Sequence, residues 1–224
     1  LIVKVGKILD KSITAVVTSM EEPLGRAVGN SLEVVEAIEF LKGNLDNGDL
    51  AEVTYSIAAM TLLQLDLYDN ISEASAYLKN LVHSGKALEK FRELIIAQGG
   101  AAEVIDNYDK FTLPCYKVEC ESKKNGYIQN INAHNVSCAV KALGAARENS
   151  SKPIDLSVGI FLNKKSGEYV KKGEILYTIY SNNEDATKIA QRYCDEAFSI
   201  NETRPSHNNL IYKIISTKDE DDNV

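Results

Sequence analysis

Residues 22–36 combine turn-forming and charged residues in a pattern that suits ligand binding. The segment reads EPLGRAVGNSLEVVE and holds two glycines, one arginine and three glutamates. It follows an apolar, β-branched run and leads into a helical pattern, so we expect a strand, a loop and the start of a helix. In open α/β sheets such a loop lies at the carboxyl edge of the sheet, where ligands bind. The pattern therefore predicts a ligand-binding loop.

The two glutamates of the helical part have different expected roles. Asn30 is a suitable N-cap, and Glu33 follows it with the spacing of a capping box. Glu36 lies past the first turn, where capping does not explain it. Its carboxylate could complete an oxygen cage for a hard cation, together with carbonyl groups of the loop. It could equally be an ordinary exposed glutamate of an amphipathic helix. The residues alone leave both interpretations open.

Arg26 gives the same loop a positive charge, which could bind an anion. The loop lacks both the P-loop pattern and the dinucleotide-binding glycine pattern, so it is a weak phosphate cradle. We expect Arg26 to be an ordinary surface arginine.

The composition is that of a globular protein without nucleic-acid or membrane partners. The 224 residues are 44% hydrophobic and carry a formal net charge of −7, which disfavours binding to nucleic acid or anionic membranes. No apolar run approaches the roughly 20 residues of a membrane span. The cysteines lack zinc-ligand spacing, so we expect free buried thiols and a reducing, cytoplasmic location. They are Cys115, Cys120, Cys138 and Cys194.

Periodicity along the chain predicts an α/β fold in which the secondary-structure pattern changes near Phe111. A strand buried on both faces is expected at 12–19. Helical patterns cover residues 31–42, 49–67, 72–83, 86–98, 132–143 and 183–198. The second of these helices has its expected core stripe at Ile57, Met60, Leu63 and Leu67. After Phe111, strand-length apolar runs alternate with turns, which indicates a smaller α+β module.

Three long segments resemble the pyrimidine-nucleoside phosphorylases, a family that includes thymidine phosphorylase. They are MEEPLGRAVGNSLEVVEAIEFLKG (20–43), GKALEKFRELIIAQGG (85–100) and ALGAARENSSKPIDLSVGIFLNKKSGEYVKKGEILYTIYS (142–181). The resemblance covers the C-terminal half of that family. It implies the last part of a mixed α/β-sheet domain at 1–110, a small α+β, barrel-sandwich-like C-terminal domain at 111–217, and an acidic tail at 218–224.

The resemblance implies phosphorolysis of pyrimidine nucleosides. Inorganic phosphate, the co-substrate, would attack the anomeric carbon of uridine, thymidine or deoxyuridine and release the base and a pentose 1-phosphate. Domain closure would bring the reactants together in a homodimeric enzyme that needs no organic cofactor. The phosphate loop and base-binding residues of the family precede the matched region. We therefore assign no catalytic residue, and we expect a fragment that is inactive alone and poorly ordered in its first hundred residues.

One ligand set of the family matches this sequence. Bacterial members bind a structural potassium ion through a PLGxAxGNxxEVxE motif, and its ligands correspond to Leu24, Ala27 and Glu36. The resemblance implies that Leu24 and Ala27 supply backbone carbonyls and that Glu36 supplies its carboxylate. Two positions depart from the family: Ser19 replaces a common aspartate, and Ala145 replaces a common glycine.

Three other interpretations remain open. Residues 166–181 resemble the strand–turn–strand of biotinyl and lipoyl carrier domains, but they lack the usual sequence around a modifiable lysine. Anthranilate phosphoribosyltransferases share the phosphorylase architecture but lack the C-terminal module. A structural or binding module without catalysis is the third interpretation.

Overall fold

The computed structural model describes residues 1–146, 153–206 and 209–217, which form helices and antiparallel sheets. The helices of these residues are α1 (Ile2–Ile8), α2 (Asn30–Leu41), α3 (Asp49–Gln64), α4 (Ile71–His83), α5 (Lys86–Ala97), α6 (Ala133–Leu143) and α7 (Glu184–Ala197). The strands are β1 (Thr14–Thr18), β2 (Ala27–Val28), β3 (Tyr116–Glu121), β4 (Gly126–Ile131), β5 (Gly159–Leu162), β6 (Tyr169–Val170), β7 (Ile175–Ser181), β8 (Phe198–Asn201) and β9 (Ile211–Ser216). The predicted mixture of helices and strands is confirmed, whereas the barrel-sandwich detail stays a prediction. The acidic tail lies outside the described residues.

Side-chain caps fix several of the predicted helix ends. The side-chain oxygens of Asn70, Asn132 and Asn183 each accept a hydrogen bond from a backbone N–H three residues later, at 2.9 to 3.0 Å. These bonds satisfy N–H groups that have no partner within the helix. Gly144 ends α6 in the left-handed conformation, with φ of 101°, as a C-terminal glycine should.

The chain forms two compact units that interleave along the sequence. One comprises residues 1–19, 41–88 and 208–224, and the other comprises 20–40 and 89–207. The domain boundaries expected from the sequence, after residues 110 and 217, stay predictions.

In the first unit, β1 pairs antiparallel with β9 in a two-stranded sheet. The prediction that this strand is buried on both faces is wrong, because its residues are only partly buried and Val17 is 43% exposed. A β-branched run favours extended backbone whether or not both faces are covered.

The buried face of α3 also differs from the prediction. Ile57 and Leu67 are exposed, while Ala51, Tyr55 and Ala59 are buried. These buried positions recur every four residues and so share one face of the helix. Two of the three are alanines. Met60 and Leu63 of the predicted stripe are partly buried, so the prediction is wrong for Ile57 and Leu67.

The second unit holds the main apolar core. A four-stranded sheet of order β2-β5-β7-β3 and a three-stranded sheet of order β6-β4-β8 pack with α6 and α7. Fully buried members of this core are Ile128, Ile131, Val136, Ile160, Leu162, Tyr177 and Ile179. Every strand pairing among the described residues is antiparallel.

The four cysteines are free, but they are not uniformly buried. Cys120 and Cys194 are buried, Cys138 is partly buried and Cys115 is exposed, so the expectation of buried thiols fails for Cys115. Burial raises the pKa of the Cys120 and Cys194 thiols, because it disfavours the thiolate.

A small polar network orders the chain just before β5. Burial alone would raise the pKa of the Asp155 carboxyl. Hydrogen bonds from the Ser157 hydroxyl, the Asn182 amide and the Ser157 N–H outweigh burial and hold that pKa below its ordinary value. The Ser157 hydroxyl lies 2.7 Å from Asp155 Oδ1 and the Asn182 amide lies 2.7 Å from Asp155 Oδ2.

Candidate cation-binding loop

The segment singled out from the sequence, residues 22–36, lies in the second unit against its four-stranded sheet. Ala27 and Val28 form β2, which pairs with Phe161 and Ile160 of β5. The segment was expected at the carboxyl edge of an open α/β sheet. Its residues Ala27 and Val28 instead add a short edge strand to an antiparallel sheet.

The Glu36 carboxylate folds back onto the loop. Its Oε1 accepts a hydrogen bond from the Arg26 N–H at 2.7 Å, and its Oε2 accepts one from the Ala27 N–H at 3.2 Å. The side chain is partly buried. The interpretation of Glu36 as an ordinary exposed glutamate is thus wrong. A carboxylate at this position stabilises a tight turn by binding two successive N–H groups.

Both glycines of the loop are required by close contacts. Gly25 has φ of +70°, and a Cβ added there would lie 2.4 Å from Glu36 Oε2. Gly29 has φ of +139°, and its Cβ would lie 2.6 Å from the Val158 carbonyl oxygen. Gly25 therefore makes room for the carboxylate, and Gly29 lets the chain approach the backbone that leads into β5.

Glu33 serves the start of α2, as expected, but Asn30 does not act as the cap. The Glu33 carboxylate accepts a hydrogen bond from the Gly29 N–H at 2.9 Å. The Asn30 side-chain amide instead donates to the Ala145 carbonyl at 3.1 Å. The loop is thereby tied to the chain just after the end of α6.

A lysine that the sequence analysis did not single out inserts into the loop from the turn between β5 and β6. Lys165 is only 8% exposed. Its Nζ donates to the Pro23 carbonyl at 2.5 Å and the Gly25 carbonyl at 2.9 Å, and it lies 3.2 Å from Glu22 Oε1. The other oxygen of Glu22 accepts a hydrogen bond from the Ser166 hydroxyl.

Arg26 holds the other side of the loop. Its guanidinium donates to the Asn163 carbonyl at 2.8 Å and to Glu168 Oε1 at 2.6 Å. Both partners lie between β5 and β6. The prediction of an ordinary surface arginine is therefore wrong, because Arg26 is a partly buried link between the loop and this turn. We call residues 163–168 the clamp turn.

The donors predicted for potassium suit such an ion. Leu24 and Ala27 lie in the segment onto which the Glu36 carboxylate of α2 folds back, and backbone carbonyl and carboxylate oxygens are the ligands that hard cations prefer. Each carboxylate oxygen has lone pairs beyond the single N–H that it accepts. The described residues contain no cluster of three His, Cys, Asp or Glu side chains that could hold a metal. A cation in the loop would consequently depend on carbonyl groups as well as Glu36.

A concave surface of about 490 Å³ lies beside Gly99 and Gly100. Its one arginine, Arg92, is already bound by Asp106, with both guanidinium nitrogens 3.0 Å from the carboxylate oxygens. This surface is therefore a poor site for an anionic substrate.

Comparison with known proteins agrees with the resemblance found in the loop. Residues 127–201 match the pyrimidine nucleoside phosphorylase C-terminal domain. That stretch holds α6, the clamp turn and most strands of the second unit. Residues 127–201 are thus similar to the C-terminal domain of this class of enzymes.

Its relatives extend the match to nearly the whole chain. Over 214 residues the chain is 37% identical to the pyrimidine-nucleoside phosphorylases of Staphylococcus epidermidis ATCC 12228 and Staphylococcus aureus USA300. The alignments cover 96% of this chain and 49% of each relative. The chain therefore spans about half the length of these relatives, and its predicted resemblance to the C-terminal half of the family is confirmed. No helix among the described residues is long and apolar enough to cross a membrane.

Proposed function

We propose that this chain supplies the cation loop and the C-terminal domain of an enzyme that cleaves pyrimidine nucleosides with inorganic phosphate. The supporting observation is 37% identity to pyrimidine-nucleoside phosphorylases along 96% of the chain. The proposed substrates are uridine, thymidine and deoxyuridine, and the proposed products are the free base and a pentose 1-phosphate.

The loop contributes a structural cation rather than a reacting group. Potassium would bind the carbonyls of Leu24 and Ala27 and the carboxylate of Glu36. When bound, it neutralises the carboxylate and holds the carbonyls in a fixed arrangement. Residues of this chain also order the loop. The Glu36 carboxylate accepts hydrogen bonds from the Arg26 and Ala27 N–H groups, and Lys165 of the clamp turn donates to two loop carbonyls.

Phosphate attack and base departure require groups that we do not assign to this chain. We propose that the 224-residue chain alone is inactive, that the active enzyme is a cytoplasmic homodimer, and that the C-terminal domain has a barrel-sandwich-like arrangement. These proposals rest on the family resemblance.

Complementation tests the proposed activity. The chain would be produced together with the part of the Staphylococcus epidermidis enzyme that it does not match, and base release from uridine, thymidine and deoxyuridine would be measured with and without phosphate. We expect phosphate-dependent release from the pair and none from either part alone. A purified complex that releases no base from any of the three nucleosides would contradict the proposal.

Base release by the chain alone would contradict only the claim that it is inactive by itself. The Glu168→Gln variant of the chain would be compared with wild type in the same assay. This substitution alters the clamp turn without changing any of the proposed potassium ligands.

A further inference from the structure

The ammonium of Lys165 lies among oxygen atoms of the loop inside the second unit. They include the carbonyl oxygens of Pro23 and Gly25, at 2.5 and 2.9 Å, and Glu22 Oε1, at 3.2 Å. A lysine ammonium has three N–H donors and no acceptor, so oxygen atoms are the partners that it requires. The side chains of Lys165 and Glu22 are 11% and 20% exposed.

This arrangement has the chemistry of a monovalent cation site. Burial of an ammonium is costly unless charge and hydrogen bonds compensate it, and here one carboxylate and two carbonyls do so. The Lys165 ammonium reaches the loop from the clamp turn, which lies 140 residues beyond Gly25 in the chain. The neighbouring Ser166 hydroxyl binds the remaining oxygen of Glu22 and fixes its orientation.

The two captured carbonyls flank Leu24 in the chain. Gly25 lacks the backbone restriction that a Cβ imposes, and its φ of +70° is a conformation that glycine leaves readily in the absence of contacts. The Pro23 carbonyl lies in the Pro23–Leu24 peptide and the Gly25 carbonyl lies in the Gly25–Arg26 peptide. Fixing both therefore restricts the peptide groups before and after the Leu24–Gly25 peptide. The carbonyl of Leu24 is one of the proposed potassium ligands.

We propose that Lys165 is a positioning residue whose ammonium acts as a tethered cation and orders the loop from Glu22 to Ala27. The C-terminal domain thereby controls the shape of the loop that carries Leu24, Ala27 and Glu36. The ordering of the loop does not require the proposed function. Its consequence, that loss of Lys165 weakens potassium binding at Leu24, rests on that function.

Hydrogen–deuterium exchange of the 224-residue protein tests the ordering directly. The variants are Lys165→Met, which keeps much of the length without the charge, and Lys164→Met, the matched control. Lys164 is the adjacent lysine, and its ammonium binds Glu174 at 3.3 Å instead of the loop. Exchange in a peptide covering 20–36 is compared with exchange in a peptide covering β7 (Ile175–Ser181) as an internal reference.

We expect Lys165→Met to raise the loop-to-reference exchange ratio about tenfold, the change produced by losing about one charge-assisted hydrogen bond. We expect Lys164→Met to leave the ratio unchanged. An unchanged ratio in Lys165→Met, or an equal rise in both variants, would overturn the proposal.

Chemical rescue separates a cation site from a merely structural contact. In Lys165→Ala the vacated site should accept ammonium, so ammonium chloride should return the loop exchange ratio toward the wild-type value, while choline chloride at equal ionic strength should not. Equal effects of the two salts would overturn the tethered-cation role.

A potassium titration of the melting temperature then distinguishes this inference from the proposed function. If wild-type protein gains stability in potassium chloride over choline chloride and Lys165→Met gains less, both are supported. If wild-type protein shows no such gain, the potassium site fails, and the exchange data still decide the role of Lys165.

Discussion

Substitution of Gly25 by alanine tests the packing of the loop against Glu36. Gly25 has φ of +70°, and a Cβ at this position would lie 2.4 Å from Glu36 Oε2 and 2.9 Å from Glu36 Cδ. Real Cβ atoms do not approach other atoms so closely, so the carboxylate must move. Movement breaks its hydrogen bonds to the Arg26 and Ala27 N–H groups.

The expected destabilisation has two parts. A left-handed backbone conformation costs an alanine about 1 kcal/mol. Loss of two hydrogen bonds to a partly exposed carboxylate costs about 1 kcal/mol each. We therefore expect Gly25→Ala to lower the free energy of unfolding by about 3 kcal/mol, which corresponds to a fall of about 6–12 °C in melting temperature for a protein of this size.

Gly99→Ala is the matched control. Gly99 belongs to the same compact unit and has φ of +76°, but a Cβ there has no atom within 4 Å. Gly99→Ala should therefore lower the free energy of unfolding only by the backbone strain, about 1 kcal/mol. Urea unfolding followed by circular dichroism gives both values, provided that the slope of free energy against urea stays constant.

A double variant that combines Gly25→Ala with Glu36→Ala completes the test. Once the carboxylate is absent, the alanine should cost no more than its backbone strain, which predicts a coupling energy of about 2 kcal/mol between the two positions. Equal destabilisation by Gly25→Ala and Gly99→Ala, or additive effects in the double variant, would refute the packing argument.

The remaining predictions concern the cation, pH and the thiols. Glu36→Ala should abolish any rise of melting temperature in potassium over choline chloride, whereas Glu33→Gln should lower stability by about 1 kcal/mol and keep that rise. The lowered pKa of Asp155 means that its carboxylate stabilises the fold above the ordinary aspartate pKa and loses this effect as pH falls through the folded-state value. Asp155→Asn should therefore lower the free energy of unfolding by about 1 kcal/mol at pH 7, and this difference from wild type should disappear below about pH 4. A difference that stays constant with pH, or an equal difference for the exposed control Asp109→Asn, would contradict this. In a thiol titration of native protein, the exposed Cys115 should react first and the two buried thiols only after unfolding; simultaneous reaction of all four would refute the assigned burial.

Much of the helical structure was predictable because it is locally encoded. Asn70 and Asn132 cap helices α4 and α6. The spacing of apolar residues and the neighbouring turn residues mark the same helix boundaries. The buried stripe of α3 was not predictable in the same way. Hydrophobicity favoured Ile57, which is exposed, whereas the smaller Ala59 is buried. Which face of a helix is buried depends on tertiary neighbours that a single segment does not specify.

The candidate site divides along similar lines. Motif resemblance indicated Leu24, Ala27 and Glu36, and local spacing indicated the capping role of Glu33. Lys165 lies 140 residues from Gly25 in the sequence. Nothing in the sequence pattern distinguishes Lys165 from the adjacent Lys164. Only the fold shows that Lys165 enters the loop while Lys164 binds Glu174.

Anomalous diffraction from crystals grown in rubidium, a heavier substitute for potassium, tests the proposed potassium site of residues 22–36 most directly. We expect an anomalous peak in contact with the carbonyl oxygens of Leu24 and Ala27 and the carboxylate of Glu36. Rubidium bound elsewhere, with this loop free of anomalous density, would contradict it.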